Sequence, residues 1–226
     1  VIIDDRSEWL EPDGLGGFAS GTASGVRTRR YHALLLHATT PPTGRLVLVN
    51  GFDAHVQSAG GVFALTTQRY VPEVLHPDGA SRITSFSSAP WPTWTYQLPD
   101  GTQLRHEILT AHGTGIVLVS WTLVACAGPI ELRARPFLSG RDYHSMHHEN
   151  SAFNFDARWA GDHSIVFTPY EGVPSIQFKS NGEYDHAPDW YRNFAYTAER
   201  ERGLDAVEDL ASPGAFRWQL NDVGDR

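Results

Sequence analysis

Between Ile116 and Arg135 the chain alternates in a way that only extended strands can exploit. Val117, Val119, Trp121, Leu123 and Ala125 fall on one side of a two-residue repeat. After Gly128-Pro129, Ile130, Leu132 and Ala134 alternate with Glu131, Arg133 and Arg135. A period of two gives a strand one dry face and one wet face, and the Gly-Pro step turns the chain back as a hairpin. No stretch sustains a 3.6-residue repeat over four turns, so helices cannot build the core.

The same reading extends along the chain. Pro99-Asp100-Gly101 marks a turn between strands at Trp94–Leu98 and Thr102–Leu109, and His76-Pro-Asp-Gly79 marks another. Asn50-Gly51 has the composition of a two-residue hairpin turn, here between Leu46–Val49 and Phe52–Val56. Further strands are expected near Tyr31–His37, Ile83–Phe86, Ser164–Thr168, Ser175–Phe178 and Ala215–Leu220. The charged piece Thr197–Leu210, interrupted by Gly203, is the best helical candidate and suggests one or two short helices. Many short strands with regular turns predict a mainly β fold, a large antiparallel β-sandwich. With 226 residues, no repeat and no linker, residues 1–226 read as a single domain. A domain of that size buries roughly 70% of its unfolded surface and needs no disulfide or metal to hold it.

Charge and composition narrow the function. Eighteen basic residues against 26 acidic ones give a formal net charge of −8, and Lys179 is the only lysine. Without a basic block, nucleic-acid binding through a charged face is not expected. No apolar run reaches membrane length; the longest, Ile116–Ala127, contains Ser and Thr. Cys126 is the one cysteine, so no disulfide framework exists, which fits a reducing, cytoplasmic compartment. The chain begins at Val1, not at methionine, so targeting signals cannot be read from it.

Glycine is concentrated near the start, with five in the twelve residues Gly14–Gly25, followed by Arg29-Arg30-Tyr31-His32. Such a loop allows crowded backbone approaches and then offers planar charge, an aromatic face and an imidazole. Arg141-Asp142-Tyr143-His144 is a second cluster, in which an Arg141–Asp142 pair would orient Tyr143 and His144. His144, His147 and His148 lie close together, but no distant ligand pair accompanies them, and neither a metal nor a cofactor is expected. Trp91, Trp94, Trp190 and Tyr191 are candidates for stacking on sugar rings; the alternation around Trp94 favours a core position, and Trp91, between prolines, favours exposure. Glu199, Glu201, Asp205, Glu208 and Asp209 interleave with Arg200 and Arg202 and read as a salt-bridged, solvated face.

These blocks carry a resemblance. Glu8-Trp-Leu, Gly14-Leu-Gly-Gly-Phe-Ala-Ser-Gly-Thr22 and Thr28-Arg-Arg-Tyr-His32 resemble the opening of bacterial and archaeal glycogen debranching enzymes of the amylo-α-1,6-glucosidase type. Arg135-Pro-Phe-Leu138 with Arg141–His144, then Asp189-Trp-Tyr-Arg-Asn-Phe194, and finally Glu201–Asp205 with Ser212-Pro-Gly214 continue it in the family's order. Asp13 stands where the family has Asn, and Ala33 where a glycine commonly follows Tyr-His. The resemblance implies an N-terminal supersandwich (galactose mutarotase-like), followed by an α/α-barrel catalytic domain that 226 residues cannot also hold.

The resemblance further implies that glycogen or a similar α-glucan, and the catalytic domain of the same polypeptide, are the partners. Residues for substrate contact or domain interface are Asp13, Arg29, Arg30, Tyr31, His32, Arg141, Asp142, His144, Trp190, Tyr191 and Arg192, with docking favoured for Trp190. Glycoside hydrolysis needs two carboxyl groups about 5 Å or roughly 6.5–9.5 Å apart across the scissile bond. No pair in the chain stands out for that role, so no catalytic residue is assigned. The alternatives are an independent carbohydrate-binding module, which needs an exposed aromatic platform, and an aldose-mutarotase-like enzyme. The latter needs His144 or His32 beside a carboxylate in a concave pocket.

Overall fold

A computed structural model describes residues 3–40 and 43–226. Four strands open the chain: β1 (Glu8–Pro12), β2 (Phe18–Thr22), β3 (Ala33–Thr40) and β4 (Gly44–Ser58). Three short ones follow, β5 (Gly61–Ala64), β6 (Gln68–Tyr70) and β7 (Val74–His76). A 3-10 turn, Gly79–Arg82, leads into β8 (Ile83–Ser87), β9 (Thr93–Gln97), β10 (Gln103–Ala111) and β11 (Ile116–Ala125). The chain then forms β12 (Ile130–Asp142), β13 (Ala157–Trp159), β14 (Ser164–Phe167), β15 (Ile176–Lys179) and β16 (Glu183–Ala195). A single-turn helix, α1 (Thr197–Glu201), precedes β17 (Val207–Leu220).

The strands form three antiparallel sheets. A ten-stranded sheet runs β1-β2-β3-β4-β12-β17-β16-β6-β7, with β5 hydrogen-bonded to β4. A four-stranded sheet runs β11-β10-β9-β8, and a three-stranded one β13-β14-β15. Both small sheets pack on the large one, giving the sandwich that the alternation predicts. In the first core Ala54, Val56, Leu132 and Leu220 of the large sheet meet Trp94, Tyr96, Leu104, Trp121 and Leu123. In the second, Leu48, Leu138, Ala211 and Phe216 meet Ile165, Phe167 and Ile176. Trp94 is buried, as the pattern around it requires, and its indole N–H donates to the carbonyl of Ala23 at 2.8 Å.

His106 is held in the first core between two indoles, its ring centroid 5.1 Å from Trp94 and 4.7 Å from Trp121, both stacked. Its Nδ1 lies 2.9 Å from the Ser120 carbonyl, which satisfies one ring nitrogen with an N–H donation. Burial pushes its pKa down to about 4, so the ring is neutral at pH 7.

Two local expectations are corrected. Asn50-Gly51 is no hairpin turn, because β4 runs straight through it between β3 and β12. A central strand position buries Asn50, and its amide donates to Glu208 Oε2 at 3.4 Å. Of the one or two short helices expected within Thr197–Leu210, one forms, Thr197–Glu201, and the stretch from Val207 is strand, not a second helix. Gly203 then takes φ +70°, and Val207 and Glu208 pair with Ala195 and Phe194 as strand. A glycine in the left-handed region ends a helix at little cost, and the sheet claims the backbone groups that follow.

Candidate functional site

Asp13 lies at the tip of the β1–β2 connection and is buried. Its Oδ1 accepts the backbone N–H of Leu15 at 2.7 Å and of Gly17 at 2.9 Å, while its own N–H donates to the Gly17 carbonyl at 3.0 Å. A Cβ at Gly17 would stand 2.5 Å from Asp13 Oδ2 and 2.6 Å from the Leu36 carbonyl, so only glycine fits there. The glycine-rich loop is thus closed on its own aspartate. Both bonds are accepted by one oxygen, so a carboxylate or an amide oxygen serves equally, and Asp for Asn changes no contact.

Two arginines from separate motifs each meet a fully buried carboxylate. Arg30 Nε faces Glu199 Oε2 at 3.1 Å, and its guanidinium also donates to the carbonyls of Asp205 (3.2 Å) and His144. Arg141 Nε donates to Glu208 Oε1, its Nη2 to Glu208 Oε2 at 3.4 Å and to the Arg30 carbonyl at 2.7 Å. The Tyr196 hydroxyl completes the second pair by donating to Glu208 Oε2. The solvated acidic face expected around residues 199–209 is therefore corrected at its two key members. Glu199 and Glu208 are both 0% exposed: Glu208 receives the Arg141 fork, while Glu199 has the Arg30 charge beside it and accepts the Arg30 backbone N–H at 3.3 Å, with Arg30 Nε and Glu199 Oε2 left without a hydrogen bond.

The expected Arg141–Asp142 pair is corrected as well. Asp142 points to solvent and its Oδ1 accepts the His144 N–H at 2.8 Å, whereas Arg141 turns inward to Glu208. Both arrangements fix the same loop, so Tyr143 and His144 are held from two sides.

On this frame sits an aromatic shelf. The Tyr31 hydroxyl lies 3.0 Å from His144 Nδ1, the Tyr31 and Tyr143 rings are 5.7 Å apart, and Arg45 covers Tyr143 at 5.6 Å. The shelf borders an open hollow of about 390 Å³, walled by Trp9, Leu10, Phe18, Arg29, Tyr31 and Tyr143 and floored by Glu8 and His32. Arg29 Nε binds Glu8 Oε1 at 2.6 Å. His32 Nδ1 accepts the Thr28 N–H at 3.1 Å, which leaves the proton on Nε2, 3.5 Å from Glu8 Oε1. Burial pushes His32 down to about 4, against the opposing pull of Glu8. A neutral ring with both nitrogens engaged and a pKa so far from 7 is poorly matched to proton transfer at neutral pH.

The third motif lies elsewhere and packs on its own chain. Trp190 meets His147 at 5.4 Å and Phe153 at 5.3 Å, Tyr191 meets Phe137 at 4.9 Å, and Arg192 binds Glu149. His147 has both nitrogens engaged, by the Asp209 carbonyl at 2.8 Å and the Tyr170 hydroxyl at 2.6 Å. Among the described residues, no group of three or more His, Cys, Asp or Glu is placed to hold a metal ion. No helix among them is long and apolar enough to cross a membrane.

Trp91 is half-buried with its N–H on Glu107 at 3.1 Å, which corrects the expectation that it stands free. The exposed tryptophan is Trp159, at 60%, which the sequence did not single out. Its strand, β13, is three residues long, too short for alternation to register. Glu199 and Glu208 were likewise missed as structural acids, because interleaved arginines at that spacing read equally as surface pairs.

Comparison with curated proteins and with solved structures gives no match. The family described as glycogen debranching enzyme N terminal matches residues 7–225, nearly the whole chain, and the protein belongs to that family of N-terminal domains.

Proposed function

We propose that this domain is the accessory part of an enzyme that hydrolyses α-1,6 branch points in glycogen or a related α-glucan. The chain is read as one β-sandwich that braces a catalytic α/α-barrel of the same polypeptide. Its Gly14–Thr22 and Arg29–His32 segments, with Tyr143 and His144, lie at the rim of the substrate cleft. There they position a glucan branch through arginine and aromatic contacts and leave the acid–base steps to the barrel.

The observation that carries this reading is the convergence of Arg30, Arg141, Glu199 and Glu208 under the Tyr31–Tyr143–His144 shelf. Four charges are buried to fix one surface loop cluster, an arrangement suited to presenting that cluster rigidly to a partner. Both buried carboxylates are committed to this frame, each beside an arginine.

The test is glucose release from branched limit dextrin. The 226-residue chain alone is expected to release none, and Tyr31→Ala in the whole enzyme is expected to lower kcat/KM by roughly tenfold. Release of glucose by the chain alone overturns the division of labour. An unchanged kcat/KM in the variant removes the shelf from the substrate cleft.

A further inference from the structure

We propose that the cleft between the two small sheets takes one more β-strand, and that the polypeptide directly following Arg226 supplies it. The inference rests on the reading above that a catalytic domain follows in the same polypeptide. Among the described residues, β11 ends the four-stranded sheet and β15 the three-stranded one. These two edges wall a hollow of about 300 Å³, whose floor is the middle of the large sheet.

Leu34 of β3 and Trp218 of β17 pack against both cores, so both small sheets lie on one face of the large sheet with these residues between them. A run of rings crosses the floor from wall to wall, Trp121 to Trp218 at 5.9 Å, Trp218 to Phe216 at 6.1 Å and Phe216 to Phe178 at 5.7 Å. Inner-face residues on the central strands of a sandwich are ordinarily covered by the facing sheet. Leu34, Phe52 and Trp218 occupy such positions and are only half-buried. A strand laid over them takes that apolar area out of water.

The end of the chain is already steered into this cleft. After β17 the Asp225 carboxylate accepts the N–H groups of Asn221 at 2.8 Å and Asp222 at 3.0 Å, which closes a turn. The Leu123 N–H then donates to the Asp225 carbonyl at 2.9 Å, and the Leu123 carbonyl accepts the Gly224 N–H at 2.8 Å. One residue facing two, with Gly224 at φ +100°, is the glycine bulge of an antiparallel pair. On the other side Asn181 Nδ2, just beyond β15, donates to the Arg226 carbonyl at 2.6 Å. Arg226 is thereby held at the mouth of the cleft, between its two walls.

Backbone groups alternate in direction along a strand, so those of Trp121, Val119 and Val117 point to the same side as those of Leu123, away from β10. An antiparallel course carries the residues after Arg226 past these three in turn, with every second side chain on the floor. A segment tethered at the mouth competes at an effective concentration that a separate chain cannot reach.

The test is hydrogen exchange in the whole enzyme, read residue by residue by mass spectrometry. The N–H groups of Val117, Val119 and Trp121 are expected to exchange within about tenfold of those of Leu118 and Ser120, which point to β10. Gly224→Val, which the left-handed backbone there resists, is expected to free the first three and leave the other two slow. Exchange of Val117, Val119 and Trp121 at the rate of an open loop overturns the proposal. Protection that grows with enzyme concentration overturns it too, since a second copy is then the occupant. Glucose release by an enzyme with these amides open would remove only the strand. Slow amides in a whole protein that releases no glucose would remove only the proposed function.

Discussion

Arg141 ties three parts of the chain together through one planar group. It donates to Glu208 on β17 and to the carbonyl of Arg30, and that carbonyl belongs to the segment whose own arginine holds Glu199. The two ion pairs are therefore coupled, and removing Arg141 leaves the Glu208 carboxylate buried with only the neutral donors of Tyr196 and Asn50 beside it. Arg141→Met is expected to lower unfolding free energy by roughly 3–5 kcal/mol, measured by urea denaturation. Arg141→Lys is expected to recover little of it, since a lysine cannot reach Glu208 and the Arg30 carbonyl with a rigid fork. A loss below about 1 kcal/mol for the methionine variant would mean that the frame contributes little. Asp13 shows the same economy of use on a smaller scale, one oxygen closing a glycine loop that reads from sequence as a ligand cradle.

At the scale of elements, β11 stands apart. It is the edge of the four-stranded sheet, ten residues long, without a charge or a proline. Ile116 and Leu118 on it are more than half exposed and Val124 is 39% exposed. Leu123 is already covered, its N–H on the Asp225 carbonyl at 2.9 Å and its carbonyl on the Gly224 N–H at 2.8 Å, so the Ile116–Trp121 part, without the charge, proline or bulge that ordinarily blunts an edge, is the template for pairing with another strand. The chain is expected to self-associate as concentration rises, and Leu118→Lys to shift it toward monomer, with a stability change within about 0.5 kcal/mol. Light scattering after gel filtration reads the mass; a parent chain that stays monomeric throughout would show the edge to be covered. β11 itself is legible in the sequence because its alternation is long and clean. β16 was not, since Pro188 and two register shifts break its period, and β4 hid its continuity behind Asn50-Gly51. Pattern reading follows backbone propensity, and in both strands it was the neighbouring strands that decided the outcome.

For the whole molecule, the ring stack around His106 links protonation to the fold. Burial holds both His106 and His32 down to about 4, against an ordinary imidazole near 6.5. Between those values the unfolded chain binds protons that the folded one refuses. Stability is thus complete above about pH 6.5 and falls as pH drops toward 4, by up to about 1.4 kcal/mol per pH unit for each ring. Asp78, held low by its hydrogen bond from Arg82, and Asp225, held low by the N–H groups of Asp222 and Asn221, act in a separate window, losing their contribution only below the ordinary aspartate value. Urea midpoints from pH 7.5 to 5 are expected to fall steadily, and His106→Phe, which keeps the stacking and removes the titration, to flatten the slope. An unchanged midpoint across that range would mean that the two rings take up protons in place. The same two histidines mark what a sequence can tell of a site. Tyr31, His32 and His144 are visible as residue types in motifs, and the structure does gather them or place them side by side. Whether a ring is a proton carrier or a packed wedge depends on what is stacked on it from strands up to a hundred residues away, and a one-dimensional pattern holds no record of that.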